Sequence, residues 1–437
     1  MNLANGVKTA GVVGAGGGGF PTHVKLSARA EYVIANGAEC EPLLHKDAAM
    51  MEHFAAEVVR GIELSAAAVG AKHAVIGIKE KKQAAMAAIR EACRGTTVRV
   101  HPLDDYYPAG DEYDLVYEVT GRLIPPAGIP PDVGVVVCNV ETFANISAAE
   151  RGHPVTSKTL TLAGAVRQPT TFTVPLGTSF RDCLEQGGGA TIENPVLFVG
   201  GLMMGEITAD LNLPVIKTTA GIVVLPRTHP VAQRKLKPPS QQNAIGKSAC
   251  DQCRYCTEYC PRFLLGYAVE PHQVMRSLAF TATGADYWNQ WASLCCACGL
   301  CTLYACPEDL YPKEACDQAK ETMRQAGVDR PGPAEVKPHP MRDGRQVPIP
   351  TLMRKLNIER YDHAAAYTAT TVEPLQVRLP LKQNAGAPSR PAVRSGDRVK
   401  AGQPVGNAPD KSLGAMIHAP FDATVTEAND NHVILTR

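Results

Sequence analysis

Residues 250–261 read C-D-Q-C-R-Y-C-T-E-Y-C-P, and residues 295–307 read C-C-A-C-G-L-C-T-L-Y-A-C-P. The first run sets Cys250, Cys253, Cys256 and Cys260 ahead of Pro261; the second sets Cys295, Cys298, Cys301 and Cys306 ahead of Pro307. Three thiolates on one tight loop with a fourth beside Pro is the spacing that holds a 4Fe–4S cubane. In two-cluster proteins that fourth Cys serves the other cluster. The expected sets are therefore Cys250, Cys253, Cys256 and Cys306 on one cluster, and Cys295, Cys298, Cys301 and Cys260 on the other. A single C-x2-C would also suit zinc or a redox dithiol, but structural zinc usually takes two separated pairs rather than triplets with a remote fourth. The second run has an extra residue between Cys301 and Cys306, so Cys296 is an alternative ligand. Pro307 favours Cys306 and leaves Cys296 as a small buried thiol.

The rest of the composition bounds the answer. The chain has 437 residues, 45% of them hydrophobic, which is enough for three or four domains with cores of their own. A net charge of +1 and no long basic stretch give no nucleic-acid footprint. The most apolar run, residues 195–204, is too short for a membrane span. The first residues lack the charged-then-apolar pattern of a secretory signal. Thiolate clusters need a reducing compartment, so the expectation is a cytoplasmic protein. Cys40, Cys93, Cys138 and Cys183 are scattered singly and do not form a disulfide framework, and Cys316 falls in an expected helix.

Upstream, residues 9–22 read T-A-G-V-V-G-A-G-G-G-G-F-P-T. Gly14, Gly16 and Gly19 satisfy G-x-G-x-x-G, and Glu39 follows at the distance of a ribose-binding acid. The strand ahead of this loop would be short and almost at the terminus, so the motif alone does not establish a dinucleotide fold. Glycines here do let backbone approach a ligand and let N–H groups cradle phosphate. Asn36-Gly-Ala-Glu39-Cys-Glu41-Pro and Tyr107-Pro-Ala-Gly110-Asp111-Glu112 are acidic turns. Val135-Val-Val-Cys-Asn139-Val-Glu141-Thr142 is a buried strand with polar groups at its carboxyl end, where open α/β sheets bind cofactors.

Together, G-A-G-G-G-G-F-P-T-x-x-K, N-G-A-E-C-E-P and N-V-E-T-F-A-N resemble the FMN- and NADH-binding domain of respiratory NADH dehydrogenase. They resemble more closely the Rnf complex C subunit and the cobalamin reductase family of propanediol-utilisation microcompartments. The resemblance covers most of residues 10–148, with Ala15 and Ala38 departing from the respiratory pattern. It implies that Gly14, Gly16, Gly17, Gly19 and Lys25 hold the FMN phosphate side. It implies that Asn36 and the catalytic pair Glu39 and Glu41 lie near flavin or nicotinamide. Tyr107, Gly110, Asp111 and Glu112 would form the nucleotide-side loop, with Asn139, Glu141 and Thr142 completing the FMN site.

The fold expected is multidomain α/β plus α+β. It comprises a Rossmann-like FMN domain (1–150), a β-grasp soluble-ligand-binding domain (155–226), a helical two-cluster ferredoxin domain (249–326) and a barrel-sandwich hybrid (351–437). Residues 227–248 and 327–350 are Pro-rich and expected as linkers. The β-grasp expectation rests on alternation at Leu160, Leu162 and Val166, a turn at Gln168-Pro169 and a helix over 180–186. Short helices are expected over 271–280 and 285–294, with Trp288 and Trp291 as core cover for the clusters. In the last domain, 394–405 and 417–425 look like hairpins of a lipoyl-type fold, with Lys411 a faint echo of a modified lysine. The domain order, barrel last, matches the microcompartment family.

The resulting expectation is a wire: NADH to FMN to two 4Fe–4S clusters to an acceptor. The resemblance implies cobalamin as acceptor and an adenosyltransferase as partner, in the cytoplasm or inside a microcompartment with shell proteins nearby. No Asp-x-His-x-x-Gly corrinoid loop is present in the sequence. An Rnf-type subunit exchanging electrons with ferredoxin, and a non-catalytic iron–sulfur carrier, are the alternatives.

Overall fold

A computed structural model describes residues 2–278, 289–328, 335–369, 372–409 and 412–437. Trp288, Lys411 and the start of the helix expected at 285–294 lie outside the described residues. The first five strands are β1 (Tyr32–Gly37), β2 (His73–Lys79), β3 (Val98–Leu103), β4 (Tyr106–Tyr107) and β5 (Val135–Asn139). Four of them form a parallel sheet in the order β3-β2-β1-β5. Their Val- and Ile-rich runs are buried on both faces, as parallel sheets require. Val33, Ala35 and Val136 face one apolar layer, whereas Ile34, Val135 and Val137 face another.

The helices that position the site are α1 (Leu3–Thr9), α2 (Thr22–Lys25), α3 (Lys46–His53), α4 (Ala55–Val69), α5 (Gln83–Ala92), α6 (Glu112–Thr120) and α7 (Val140–Glu150). Helices α4 and α7 touch backbone to backbone. A Cβ on Gly61 would stand 1.9 Å from the Phe143 carbonyl oxygen, so only glycine lets α7 seat this close. That contact fixes the start of α7 and the residues on it. The chain runs β1 to β2 to β3 in one direction and then places β5 on the other side of β1. The crevice between the carboxyl ends of β1 and β5 is the topological switch point, where such sheets bind ligands.

A second sheet has the order β12-β7-β6-β10-β8-β9, built from β6 (Ser157–Gly164), β7 (Thr170–Pro175), β8 (Pro195–Val199), β9 (Glu206–Thr208), β10 (Gly221–Pro226) and β12 (Tyr367–Thr368). Helix α8 (Phe180–Gln186) falls where its pattern placed it, started by a reciprocal Ser179–Asp182 cap.

Neither stretch expected as a linker is a bare connection. Residues 227–248 hold helices Pro230–Leu236 and Pro239–Ala249, each with Pro in its first turn. Val231 and Ala232 are buried, and Arg234 donates to the carbonyls of Thr302 at 2.7 Å and Leu310 at 2.8 Å. The Pro, Lys and Gln content that suggested a spacer belongs to a clamp on the second cysteine loop. Beyond residue 341, β11 (Val347–Pro348) pairs antiparallel with β4. Helix Ile349–Lys355 then buries Ile349, Leu352 and Met353 in one apolar cluster with Tyr107, Phe198 and Leu303.

The C-terminal domain has two small sheets, β13-β19-β18-β15 and β14-β16-β17. Its strands are β13 (Gln376–Pro380), β14 (Arg390–Pro391), β15 (Arg398–Val399), β16 (Pro404–Asn407), β17 (Ile417–His418), β18 (Ala423–Ala428) and β19 (His432–Thr436). The segments expected as hairpins interleave instead. Strand β15 pairs with β18 and β16 with β17, so each expected hairpin is split between sheets. Val377, Leu379, Val405 and Ile417 of this domain share one apolar cluster with Val7, Val12 and Phe143. The domain is docked on the first one. Among the described residues no helix is long and apolar enough to cross a membrane.

Candidate functional site

At the switch point lies a cavity of about 280 Å3, near the low end of the roughly 300–1,000 Å3 of ordinary ligand sites. Its walls come from three parts of the chain: Gly16, Asn36, Lys46 and Asn139 from the first domain, Gly200 and Met204 from the second, and Cys296 and Cys298 from the second cysteine loop. Asn139 caps α7 by accepting from Glu141 N at 3.0 Å, and its amide donates to Asp47 at 2.9 Å. Asn36 donates to the Gly110 carbonyl at 2.9 Å, tying the end of β1 to the 107–112 turn.

The floor is a buried ion network that the motifs only partly disclosed. Lys46 donates to Asn139 Oδ1 at 3.1 Å and to Glu141 Oε2 at 3.0 Å. Lys158, from the second domain, bonds the same Glu141 oxygen and donates to the Ala15 carbonyl at 2.7 Å. The second Glu141 oxygen accepts from Thr159 N at 3.1 Å, and Thr142 Oγ1 accepts from Ala15 N at 2.9 Å. Burial opposes ionisation of Glu141, but Lys158 and Lys46 outweigh it and hold the carboxyl below its usual range. Burial draws Lys158 down to about 8 despite Glu141. Glu141 and Thr142 thus shape the glycine loop from beneath. Lys46, Asp47 and Lys158 were missed because no motif marks them. The signal available was three polar residues in segments otherwise destined for burial.

The glycines divide by role. Gly14 fits the return of the loop on itself, accepting from Gly19 N at 3.1 Å. A Cβ on Gly16 would crowd Asn139 at 3.2 Å, and one on Gly19 would meet Thr218 at 3.0 Å and the Asn384 backbone at 3.3 Å. Gly19 is therefore required by domain docking; its carbonyl accepts from Ala385 N at 2.9 Å. Gly17 and Gly18 face open space. Ahead of the loop stands α1 rather than a strand, and Val13 makes only an isolated bridge to Pro21. The loop lacks the strand–loop–helix context of the dinucleotide fingerprint.

Several expected ligand residues also make structural hydrogen bonds. Glu39 accepts from the amides of Asp47 at 2.6 Å and Ala48 at 3.2 Å, at the start of α3. Glu41 accepts from Met203 N at 3.0 Å and Met204 N at 2.8 Å, clamping the 200–205 loop of the second domain. Both carboxyls line the cavity, and burial raises the pKa of each. Lys25 donates to the Val137 carbonyl at 2.8 Å and pairs with Glu112 at 3.4 Å. Tyr107 is buried and donates to the Cys298 carbonyl at 2.6 Å. Asp111 caps α6 and meets Arg262 of the cluster domain at 2.9 Å.

The eight cysteines gather into two neighbouring groups. Cys250, Cys253, Cys256 and Cys306 surround one small cavity. Burial and the nearby Cys306, Cys250 and Cys253 push the Cys256 thiol up to about 12. In the other group, burial and the adjacent Cys295 push Cys260 well up, and burial with Cys295, Cys256 and Cys260 does the same to Cys301. Four crowded thiols in an apolar setting cannot all ionise without a cationic centre among them, which suits iron. The two loops share one backbone design. Gln252 and Arg254 flank Cys253 at φ +62° and +71°, while Ala297 and Gly299 flank Cys298 at +57° and +83°. Amides then reach sulfur: Ala297 N donates to Cys295 at 3.3 Å and Leu310 N to Cys306 at 3.3 Å. The extra residue in the second run is absorbed by a π-helical turn over Cys301–Ala305, the usual form of a one-residue insertion in a helix. Cys306 therefore reaches the first group, while Cys296 lines the switch-point cavity. Cys253 is exposed, whereas Cys298 lies in an apolar cluster with Tyr107 and Met203.

Comparison with known proteins finds a family model for each of four successive segments. Residues 7–148 match the Nuo51 FMN-binding domain, 159–206 the SLBB domain, 249–311 a 4Fe–4S dicluster domain and 362–436 the RnfC barrel sandwich hybrid domain. Cobalamin reductase PduS of Citrobacter freundii is 39% identical over 99% of this chain and 95% of its own. The chain belongs to the PduS family. The Salmonella typhimurium PduS matches to the same extent, 39% over 99% of this chain and 95% of its own. One component of the proton-translocating ferredoxin:NAD(+) oxidoreductase complex of Clostridium ljungdahlii is 36% identical, over 59% of this chain and 55% of its own. A crystal structure of an NAD+-reducing [NiFe]-hydrogenase in the H2-reduced state superposes with a TM-score of 0.50 at 20% identity. It covers 75% of this chain and 67% of its own, and shows shared fold. This PduS-family chain is a flavin iron–sulfur oxidoreductase whose cofactors are FMN and two 4Fe–4S clusters.

Proposed function

We propose that the protein takes electrons from NADH and delivers them to cobalamin. The observation that carries this reading is the cavity wall itself: Cys296 and Cys298 stand on the same cavity as Gly16, Asn36 and Asn139. Bound FMN exchanges electron pairs with a nicotinamide and single electrons with iron–sulfur centres, and the protein sets their placement. The amides of Gly16, Gly17 and Gly18 would meet the phosphate, with Lys46 and Asn139 beneath. Glu39 and Glu41 act as positioning residues, since backbone amides already occupy their carboxylates. Tyr107 and Asp111 act as domain ties.

Cys260, Cys295, Cys298 and Cys301 would hold the inner cluster, beside the cavity. Cys250, Cys253, Cys256 and Cys306 would hold the outer one. The two sets are in series, and the outer set opens to solvent at Cys253, where an acceptor can approach. The domain limits that fit are a Rossmann-like unit over 1–150, a β-grasp unit over 155–226, a ferredoxin-like unit over 249–326 and a barrel-sandwich unit whose expected start at 351 moves to 362, because Leu352 and Met353 pack with Tyr107, Phe198 and Leu303 instead. Cobalamin enters through the PduS relatives, together with an adenosyltransferase partner and a place in the cytoplasm or a microcompartment.

Anaerobically purified protein tests this. It should release FMN, reduce a viologen dye with NADH, and yield adenosylcobalamin when an adenosyltransferase traps cob(I)alamin. Dye reduction without trapping, but with ferredoxin reduction, would instead support the Rnf-type role. Absence of dye reduction would leave an iron–sulfur carrier.

A further inference from the structure

Arg262 follows Cys260 by two residues and is 8% exposed. Its Nη2 donates to Asp111 Oδ2 at 2.9 Å, and its Cζ lies 3.5 Å from the centroid of the Tyr113 ring. The Cys296 thiol is close enough to couple to its charge. Asp111 and Cys296 both line the switch-point cavity. Two residues beyond Cys260, the guanidinium is thus held from two sides, by a carboxylate of the cavity lining and by the Tyr113 ring. Its Nε has no partner, so the charge there is not quenched by a further acceptor. Stacking on Tyr113 together with a planar fork to Asp111 is an arginine task that lysine cannot copy. Tyr113 is itself anchored, donating to the Gly128 carbonyl at 2.6 Å.

We propose that Arg262 is an electrostatic positioning residue that raises the reduction potential of the inner cluster, drawing electrons from the flavin pocket into the thiol set beside it. The inference rests on the ligand assignment proposed above. An iron–sulfur cluster gains one negative charge when it accepts one electron, with no bond made or broken. A fixed cation nearby favours that reduced form, and the low polarity of the buried interface lengthens its reach. Asp111 offsets part of this charge, but two helix amides share its carboxylate: Tyr113 N at 3.1 Å and Asp114 N at 3.3 Å. The pair therefore predicts opposite signs for its two members. Loss of Arg262 lowers the inner potential, and loss of the Asp111 charge raises it.

The test is potentiometric titration of the reconstituted holoprotein with dithionite, read by the electron paramagnetic resonance of each reduced cluster. Cys298→Ala identifies the inner signal. If that variant keeps both signals, the ligand assignment fails, separately from any role of Arg262. With the assignment standing, Arg262→Gln should shift the inner cluster's reduction equilibrium about tenfold towards the oxidised form, about 59 mV for one electron. The outer cluster should stay put. Arg262→Lys should shift it less, and Asp111→Asn should shift it the other way. Should Arg262→Gln fail to hold the inner cluster, Arg262→Lys and Asp111→Asn carry the test. Unchanged inner potentials, or shifts of the same sign in the arginine and aspartate variants, overturn the proposal.

Discussion

Single residues decide which thiol stands in which group. Cys306 lines one small cavity with Cys250, Cys253 and Cys256 because a π-helical turn takes up the extra residue before it. Cys306→Ala and Cys253→Ala should each cut bound iron from about eight to about four per chain while FMN stays. Cys296→Ala should keep all the iron. Loss of FMN from Cys253→Ala would contradict the separation of the exposed outer loop from the cavity. The glycine loop offers a second comparison. Gly18 has no neighbour within 4 Å of an added Cβ, so Gly18→Ala should leave the melting temperature of the apoprotein unchanged. It should weaken FMN about tenfold, about 1.4 kcal/mol, in a fluorescence titration. Gly19→Ala should do the reverse. Its φ of +61° and contacts at 3.0–3.3 Å cost roughly 1–3 kcal/mol of stability.

At the scale of elements, Glu141 at the start of α7 is the joint between α3, the glycine loop and β6. Glu141→Gln leaves Lys46 and Lys158 buried with no full counter-charge beside them except Asp47, at 2.6 Å from Lys46. The loss should be about 3–5 kcal/mol in chemical denaturation. Because the folded carboxyl titrates below its unfolded range, its contribution is complete above about pH 4.3 and fades as pH falls through the folded value. The glutamine variant should therefore show a shallower acid limb than wild type. Glu41 joins elements differently. Two amides of the 200–205 loop depend on it, and a Cβ on Gly201 would stand 2.4 Å from its carboxyl.

Across the whole molecule, one buried lysine holds three domains together. Lys217 of the second domain donates to the carbonyls of Gly11 in the first and Met416 in the last, both at 2.6 Å. Burial lowers its pKa to about 7, and the neighbouring His418 is drawn to about 4 by burial and then by Lys217. Unfolding returns the lysine to about 10.4, so between about pH 7 and 10 the unfolded chain binds the extra proton. Stability should rise with pH across that window. His418 acts in the same sense between about pH 4 and 6.5. Melting curves at pH 7 and pH 9.5 should show wild type gaining on Lys217→Met as pH rises. A constant gap between the two would exclude this junction as the cause.

The four domains and the two cubanes were legible because their signals are local. Cysteines three residues apart on a tight loop, a Pro after the fourth, and a run of β-branched residues carry their meaning within a dozen positions. Lys25, Glu41, Tyr107 and Asp111 were recognisable as important, yet their partners lie between 87 and 191 residues away along the chain. The same holds for the helices at 230–249, whose polar residues looked like a spacer until Arg234 met the carbonyls of the second cysteine loop. Sequence alone determined that a two-cluster 4Fe–4S segment follows an FMN-binding domain. Only the tertiary structure decided which thiol loop faces the switch-point cavity and which faces water, because that choice is made by packing between segments that share no local pattern.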